Sequence, residues 1–221
     1  LLLEAERLNI KAVNGLYMLI MQAAKAHELF FHKEIPLNLI NKLYRKTYQK
    51  HLNIVFIGLP LSGKSKFMRL FSEKMHKKGL DIDSLIEKGE KISIPEIFEK
   101  YGEARFRNLE SKSVKEIYKL QNLIISTGGG LVENPENMEM LKQNGLVIFL
   151  NKDPEIIAKK KVYGRPLLKN SNDILALAQR RLPMYINYAD IIIDINKDTE
   201  THYNEMKEKI NEYIGRKWSK S

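Results

Sequence analysis

Residues 58–65 read GLPLSGKS, directly after the apolar run Leu52-Asn53-Ile54-Val55-Phe56-Ile57. Gly58, Gly63, Lys64 and Ser65 fit the spacing G-x-x-x-x-G-K-[ST]. In the segment that follows, Phe67, Met68, Leu70, Phe71 and Met75 form one apolar face, and Gly79 is expected to end that helix. Apolar strand, glycine loop and amphipathic helix, in that order, are the context in which such a loop cradles nucleotide phosphates. The glycines let the backbone turn tightly enough to aim several N–H groups at one spot beside a helix N-terminus. Lys64 supplies a cation for the β and γ phosphates, and Ser65 a hydroxyl for the magnesium ion bridging them. Gly58, Leu61, Ser62, Gly63, Lys64, Ser65 and Lys66 are therefore the expected nucleotide-phosphate site.

The rest of the chain from Lys50 onward suits that loop. Short apolar runs alternate with helical patterns, the signature of a parallel sheet wrapped by helices. Strands are expected near 52–57, 123–127, 146–151 and 190–195, with a further short one just before Asp81. Helices are expected near 64–78, 95–101, 103–120, 136–143, 153–161, 172–186 and 200–216. Asp153-Pro154-Glu155 illustrates the start signals: a capping side chain, a proline at the first helical position and an acid in the first turn. Residues 1–50 differ, being helical by pattern and broken at Pro36, with Leu16, Leu19, Ile20, Ala23, Ala24 and His27 along one side. The polar stretch 41–51 reads as a linker or an exposed helix end.

Charge decides little about partners. The net +10 divides into +4 over residues 1–50 and +6 over the remainder, and Lys159-Lys160-Lys161 is the one tight cluster. Such a spread describes solvated faces and attraction of small anions rather than a nucleic-acid surface. No apolar run approaches the roughly 20 residues of a membrane-spanning helix. The absence of cysteine excludes disulfides and thiolate metal sites, and fits a cytoplasmic setting. No secretory leader is read at the start, where Glu4 and Glu6 stand. Because the first methionine is Met18, a piece of a longer polypeptide is expected.

Four later stretches bear on the phosphate acceptor. Asp81-Ile82-Asp83 puts two carboxylates on one side of an extended segment, one to help hold magnesium and the other to orient or deprotonate a hydroxyl. Arg107 and Glu110 stand three apart on a helix, a natural ion pair. Gly128-Gly129-Gly130 follows a buried-looking strand, where three glycines imply close approach of backbone to ligand. Arginines recur in Gly164-Arg165-Pro166-Leu167-Leu168 and Arg180-Arg181-Leu182-Pro183-Met184-Tyr185. From residues alone, other small-molecule kinases acting on gluconate or nucleoside monophosphates, and an inactive nucleotide-binding module, stay open. The arginine pair with the triple glycine suits a small carboxylated ring better, and intact Lys64, Ser65, Asp81 and Asp83 speak against an inactive module.

In combination these stretches resemble shikimate kinase over roughly residues 50–215. The phosphate loop, D-x-D, F-R-x-x-E, G-G-G, R-P-L-L and R-x-P-x-Y all occur in that family's order. The resemblance implies a P-loop, nucleoside-monophosphate-kinase-like parallel sheet flanked by helices, with an N-terminal helical extension. It implies a monomeric enzyme that uses ATP and Mg2+ to phosphorylate the 3-hydroxyl of shikimate, in aromatic amino-acid biosynthesis. Asp83 would bind the ring hydroxyls and orient or deprotonate the attacking one, and Asp81 would act with Ser65 around magnesium. Arg107 and Arg181 would clamp the substrate carboxylate, with Glu110 steering Arg107. Gly128, Gly129 and Gly130 would offer backbone contact, while Arg165 would close with a lid onto the ATP phosphates and join Lys64 in catalysis. Two departures stand out: Leu61 replaces the family's usual glycine, and the lid KKKVYGRPLL is short, with Lys160 or Lys161 in place of an earlier arginine.

Gly15-Leu16-Tyr17-Met18-Leu19-Ile20-Met21-Gln22-Ala23-Ala24 resembles a second family, at the C-terminal end of shikimate dehydrogenase. The implied organisation is a dehydrogenase remnant over 1–40, a linker over 41–51 and a kinase domain over 52–217, as in a bifunctional polypeptide. The dehydrogenase's dinucleotide fold is absent, so hydride transfer is not expected of this chain.

Overall fold

Five parallel strands form one sheet in the order β2-β3-β1-β4-β5: β1 is Asn53–Ile57, β2 Lys78–Asp81, β3 Leu123–Ser126, β4 Gly145–Asn151 and β5 Ile191–Asp194. The structure, a computed structural model, describes residues 5, 8, 10, 15–159, 171–195 and 198–219. Arg165, Lys160 and Lys161, and with them the expected lid, lie outside the described residues. The chain divides into two units, one of residues up to Leu52 together with those from Glu208 on, the other Asn53–Lys207.

The strand sequences explain their positions. Every residue of β1 and β3, and Leu146–Leu150 of β4, is buried, as central parallel strands covered on both faces require. The edge strand β5 alternates, with Ile191 and Ile193 buried and Ile192 exposed. Around the sheet lie α3 (Lys64–Met75), α4 (Ile82–Glu90), α5 (Ile94–Ile117), α6 (Pro135–Lys142), α7 (Pro154–Ala158), α8 (Ser171–Tyr188) and the part of α9 (Thr199–Ser219) up to Lys207. The earlier α1 (Gly15–Phe31) and α2 (Leu37–His51) pair within the other unit, where Tyr17 meets Tyr44 edge-on at 5.9 Å. Among the described residues no helix is long and apolar enough to cross a membrane.

Several local expectations are sharpened or corrected. α3 stops at Met75 because His76 turns left-handed (φ 52°), and its N–H reaches Glu73 and Ser72. Gly79 instead belongs to β2, where a Cβ would lie 2.5 Å from Met68 Sδ, so it lets the helix pack onto the strand. Of the two readings of residues 41–51, the helical one holds: they belong to the helix Leu37–His51, and Tyr44 within it is buried. Asp81 and Asp83 do not share one face of an extended segment: Asp81 caps α4, accepting from the Ser84 N–H at 3.2 Å, and Asp83 stands in that helix's first turn. A capping side chain ended the strand earlier than alternation alone predicts. The expected break between 101 and 103 is a kink inside α5, where Gly102 adopts φ 76°.

Strand order creates the site. The connection after β1 passes over β3 to β2, whereas the connection after β3 passes over β1 to β4. The two chains therefore leave a crevice at the carboxyl ends of β1 and β3, the place where open parallel sheets bind ligands. The phosphate loop follows β1, and the triple glycine follows β3.

Candidate active site

On the β1 side, the loop is wrapped around its own lysine. Lys64 Nζ donates to the carbonyls of Gly58 (2.9 Å) and Leu59 (2.8 Å), and the side chain is buried. Those carbonyls hold the ammonium at the mouth of the loop. Gly63 takes φ 101°, open to glycine, but Leu61 also lies in the left-handed region at φ 63°. Glycine would be unstrained at that φ, whereas leucine there carries backbone strain of about 1 kcal/mol or more. The residue is partly buried against the core, which offsets some of that strain. Its neighbour Pro60 lies against Gly129, where a Cβ would approach Pro60 Cδ at 2.9 Å.

At the start of α3, the Ser65 hydroxyl donates to Asp81 Oδ2 at 2.6 Å and lies 3.3 Å from Ser126 Oγ. Register brings these groups level, since Asp81 and Phe56 both align with Ser126. Three hard oxygen donors thus meet directly beside the phosphate loop.

The β3 side is built on close approach. A Cβ on Gly128 would lie 2.5 Å from Glu110 Oε1 and 2.8 Å from Asp83 Oδ1, so only glycine admits both carboxylates. A Cβ on Gly130 would overlap the Arg107 guanidinium. The loop itself is fixed by Tyr185, whose buried hydroxyl donates to the Gly129 carbonyl at 2.5 Å while its ring stacks on Phe149 at 5.1 Å. Burial raises the Tyr185 phenol above its ordinary range, keeping it a donor.

Beyond the glycines the charges are dense. Arg107 donates to Glu110 Oε2 at 2.5 Å and to Glu103 Oε1 at 2.8 and 3.2 Å. Arg181, buried at 2% exposure, donates from Nε and Nη2 to the two oxygens of Glu133 at 3.2 and 3.1 Å. Arg180 reaches the same carboxylate at 2.6 Å, and Arg107 Nη2 stands 3.7 Å from its Oε2. Glu103, Arg107, Glu110, Gly130, Leu131, Glu133, Asn134 and Asn137 line a cavity of about 270 Å³. Burial pushes Glu110 up to about 7, with Arg107 opposing and Asp83 reinforcing. For Glu133 burial also disfavours charge, but Arg181, Arg180 and Arg107 outweigh it and hold the carboxyl below its ordinary value.

The phosphate loop follows β1 with Asp81 hydrogen-bonded to Ser65, while Asp83 and Arg107 lie against Gly128 and Gly130 after β3 and Arg181 pairs with Glu133; of the sequence-derived residues, Arg107 and Gly130 line the cavity. Sequence reasoning missed Glu133, Ser126 and the anchoring part of Tyr185. Of these, Tyr185 lay within a motif already recognised and Ser126 beside the glycines, but nothing local marks Glu133. It meets Arg181 across 48 residues of chain.

A phosphate loop at the sheet's switch point, a seryl hydroxyl beside an aspartate, and an arginine-lined cavity next door define a P-loop kinase acting on a small anionic molecule. The comparisons with known proteins agree. The family model for shikimate kinase matches residues 60–213. The shikimate kinase of Caldicellulosiruptor saccharolyticus is 44% identical over 140 residues, spanning 61% of this chain and 81% of that protein. That of Clostridium beijerinckii is 38% identical over 159 residues, spanning 71% and 94%. Among solved structures, the shikimate kinase of Acinetobacter baumannii in complex with shikimate superposes with TM-score 0.70 at 28% identity, covering 76% of this chain and 98% of that one. The Aquifex aeolicus shikimate kinase gives 0.63 at 37% identity, covering 70% and 94%. The chain belongs to the shikimate kinase family.

Proposed function

We propose that this chain transfers the γ-phosphoryl group of ATP to the 3-hydroxyl of shikimate, giving shikimate 3-phosphate and ADP. The observation that carries the acceptor is the pair Arg107 and Arg181, which approach one carboxylate oxygen, at 3.7 and 3.1 Å, beside the triple glycine. Two guanidinium forks suit a carboxylate better than point-like ammonium groups do.

In this reading the residues divide the work of positioning and charge stabilisation that phosphoryl transfer demands. Lys64 leaves its two loop carbonyls for the β and γ phosphates, where the loop's N–H groups converge. Asp83 accepts the proton of the attacking 3-hydroxyl as the oxygen bonds to the γ phosphorus and the bond to the β-bridging oxygen breaks. Gly128, Gly129 and Gly130 let the acceptor ring lie against backbone, and Glu110 and Glu103 keep the Arg107 fork aimed at the cavity. Arg165, outside the described residues, is assigned to the phosphates on sequence grounds.

Magnesium fits the donors present. Ser65 and Asp81 offer hard oxygens, and among the described residues no group of three or more His, Cys, Asp or Glu forms a metal cage. Such a site leaves the remaining ligands to phosphates and water, as magnesium prefers. When bound there the ion neutralises phosphate charge.

The test is a coupled assay of ADP release with shikimate, gluconate, nucleoside monophosphates, or no acceptor. Turnover with shikimate alone is expected. Turnover with a nucleotide but not shikimate overturns the assignment.

The same reading extends to residues 1–40 as the C-terminal piece of a dehydrogenase-like domain fused to the kinase. Support comes from α1, whose Met18, Leu19, Leu29, Phe30 and Phe31 are all exposed, an apolar surface that a missing neighbour would cover. Amide exchange across 15–45 faster than in the central strands is expected, and equal protection refutes it.

A further inference from the structure

The arginine clamp already holds a carboxylate, and that carboxylate is the chain's own. Glu133 closes the short 3₁₀ turn Leu131–Glu133 directly after the triple glycine. Its two oxygens accept from Nε and Nη2 of Arg181, and Arg180 and Arg107 stand 2.6 and 3.7 Å from the same carboxylate. Arg181 is 2% exposed, and Glu133 covers its Nε–Nη2 edge. Glu133 is 23% exposed and faces the cavity. A guanidinium fork engaged with both oxygens of one carboxylate cannot hold a second in the same way. An incoming carboxylate therefore reaches the Nε–Nη2 edge of Arg181 only when Glu133 leaves.

We infer that Glu133 is an internal stand-in for the acceptor's carboxylate, occupying the arginine clamp until substrate displaces it and thereby setting acceptor affinity and selectivity. The inference rests on the function proposed above. The exchange needs little from the backbone. The turn stays fixed by the Glu133 N–H to the Gly130 carbonyl (3.1 Å) and by Asn134, which caps α6 and donates to Ser111. Rotation about the side-chain bonds of Glu133 alone carries its carboxylate toward the solvent side of the cavity.

Three consequences follow. One carboxylate replaces another, so the clamp is never left as unpaired, buried cations. The net gain on binding is smaller than two open forks would give, because apparent affinity falls by the fraction of clamps left open. An acceptor without a carboxylate cannot complete the exchange, and so gains nothing from Arg181.

Glu133→Gln keeps the shape and removes the charge. The expected result is a KM for shikimate about tenfold lower, with kcat and the KM for ATP nearly unchanged. The methyl ester of shikimate, which lacks the exchanging group, should show no such gain. Glu133→Asp retracts the carboxylate by one methylene and should lower the KM in the same direction by less, which keeps the test available if the glutamine variant folds poorly. A KM for shikimate that is unchanged or raised in both variants overturns the inference, because Glu133 would then be organising the clamp rather than competing for it. Failure of the wild-type chain to phosphorylate shikimate would instead overturn the proposed function. In that case the exchange is read by titration calorimetry with benzoate: tighter binding to Glu133→Gln than to wild type sustains it, and equal or weaker binding refutes it.

Discussion

Replacing Gly128 by alanine tests the core of the site geometry. The added methyl would lie 2.5 Å from Glu110 Oε1 and 2.8 Å from Asp83 Oδ1, where real Cβ contacts essentially never fall under 3.0 Å. Both contacts are side-chain ends, so the chain absorbs the methyl by displacing a carboxylate rather than the backbone. Glu110 is 1% exposed and its other oxygen is held by Arg107 at 2.5 Å, while Asp83 is set by the capped first turn of α4. At least one carboxylate must move by about 0.5 Å or more, and misplacements approaching 1 Å cost up to about a hundredfold in rate. A fall in kcat of roughly 10- to 100-fold is expected, equivalent to about 1.4–2.7 kcal/mol of transition-state stabilisation. Overpacking of this kind also lowers stability by about 1–3 kcal/mol. The KM for ATP should hold, because the methyl's close neighbours include no atom of the phosphate loop. The assay is ADP release at saturating shikimate with ATP varied, beside a denaturant titration. A kcat within about twofold of wild type would refute the reasoning, and so would a rise in the ATP KM matching the loss in kcat.

Three further outcomes are expected. At position 61, Leu61→Gly should be more stable than Leu61→Ala by about 1 kcal/mol, reversing the usual order because only glycine is unstrained at φ 63°; denaturation midpoints with alanine ahead would refute the strain. Asp83→Asn should lower kcat strongly while the KM for ATP stays near wild type, and equal loss of nucleotide binding would show the role misassigned. Glu110, ordinarily 4.5 but pushed up to about 7 chiefly by burial, contributes stability that is full below its ordinary value and is lost as pH rises through about 7. Glu110→Gln should therefore remove up to about 3 kcal/mol of the fall in stability between pH 5 and 8, and denaturation curves with equal pH slopes in both proteins would exclude it.

The local chemistry was legible in the chain. GLPLSGKS announced a phosphate loop between strand and helix, and the central strands read as continuous apolar runs because both their faces are covered. Arg107 and Glu110 three apart on a helix became the 2.5 Å ion pair their spacing implies. Each of these patterns has its cause within a few residues. Where local rules competed, reading by pattern failed: alternation kept Asp81 and Asp83 in a strand, but Asp81 capped a helix.

What the tertiary structure alone decided is which distant groups meet. Strand order brings Ser65, Asp81 and Ser126 together, three residues whose separations in sequence carry no signal. Leu61 carried no visible consequence in the sequence until its left-handed φ of 63° showed where glycine would relieve strain. Glu133 bore no motif, and only folding set it against Arg181, 48 residues away. The sequence determined that phosphate would be held and that a carboxylated acceptor was the best match. Folding decided that the buried Arg181 is paired with a carboxylate of the chain's own, because burying a guanidinium requires a counter-charge.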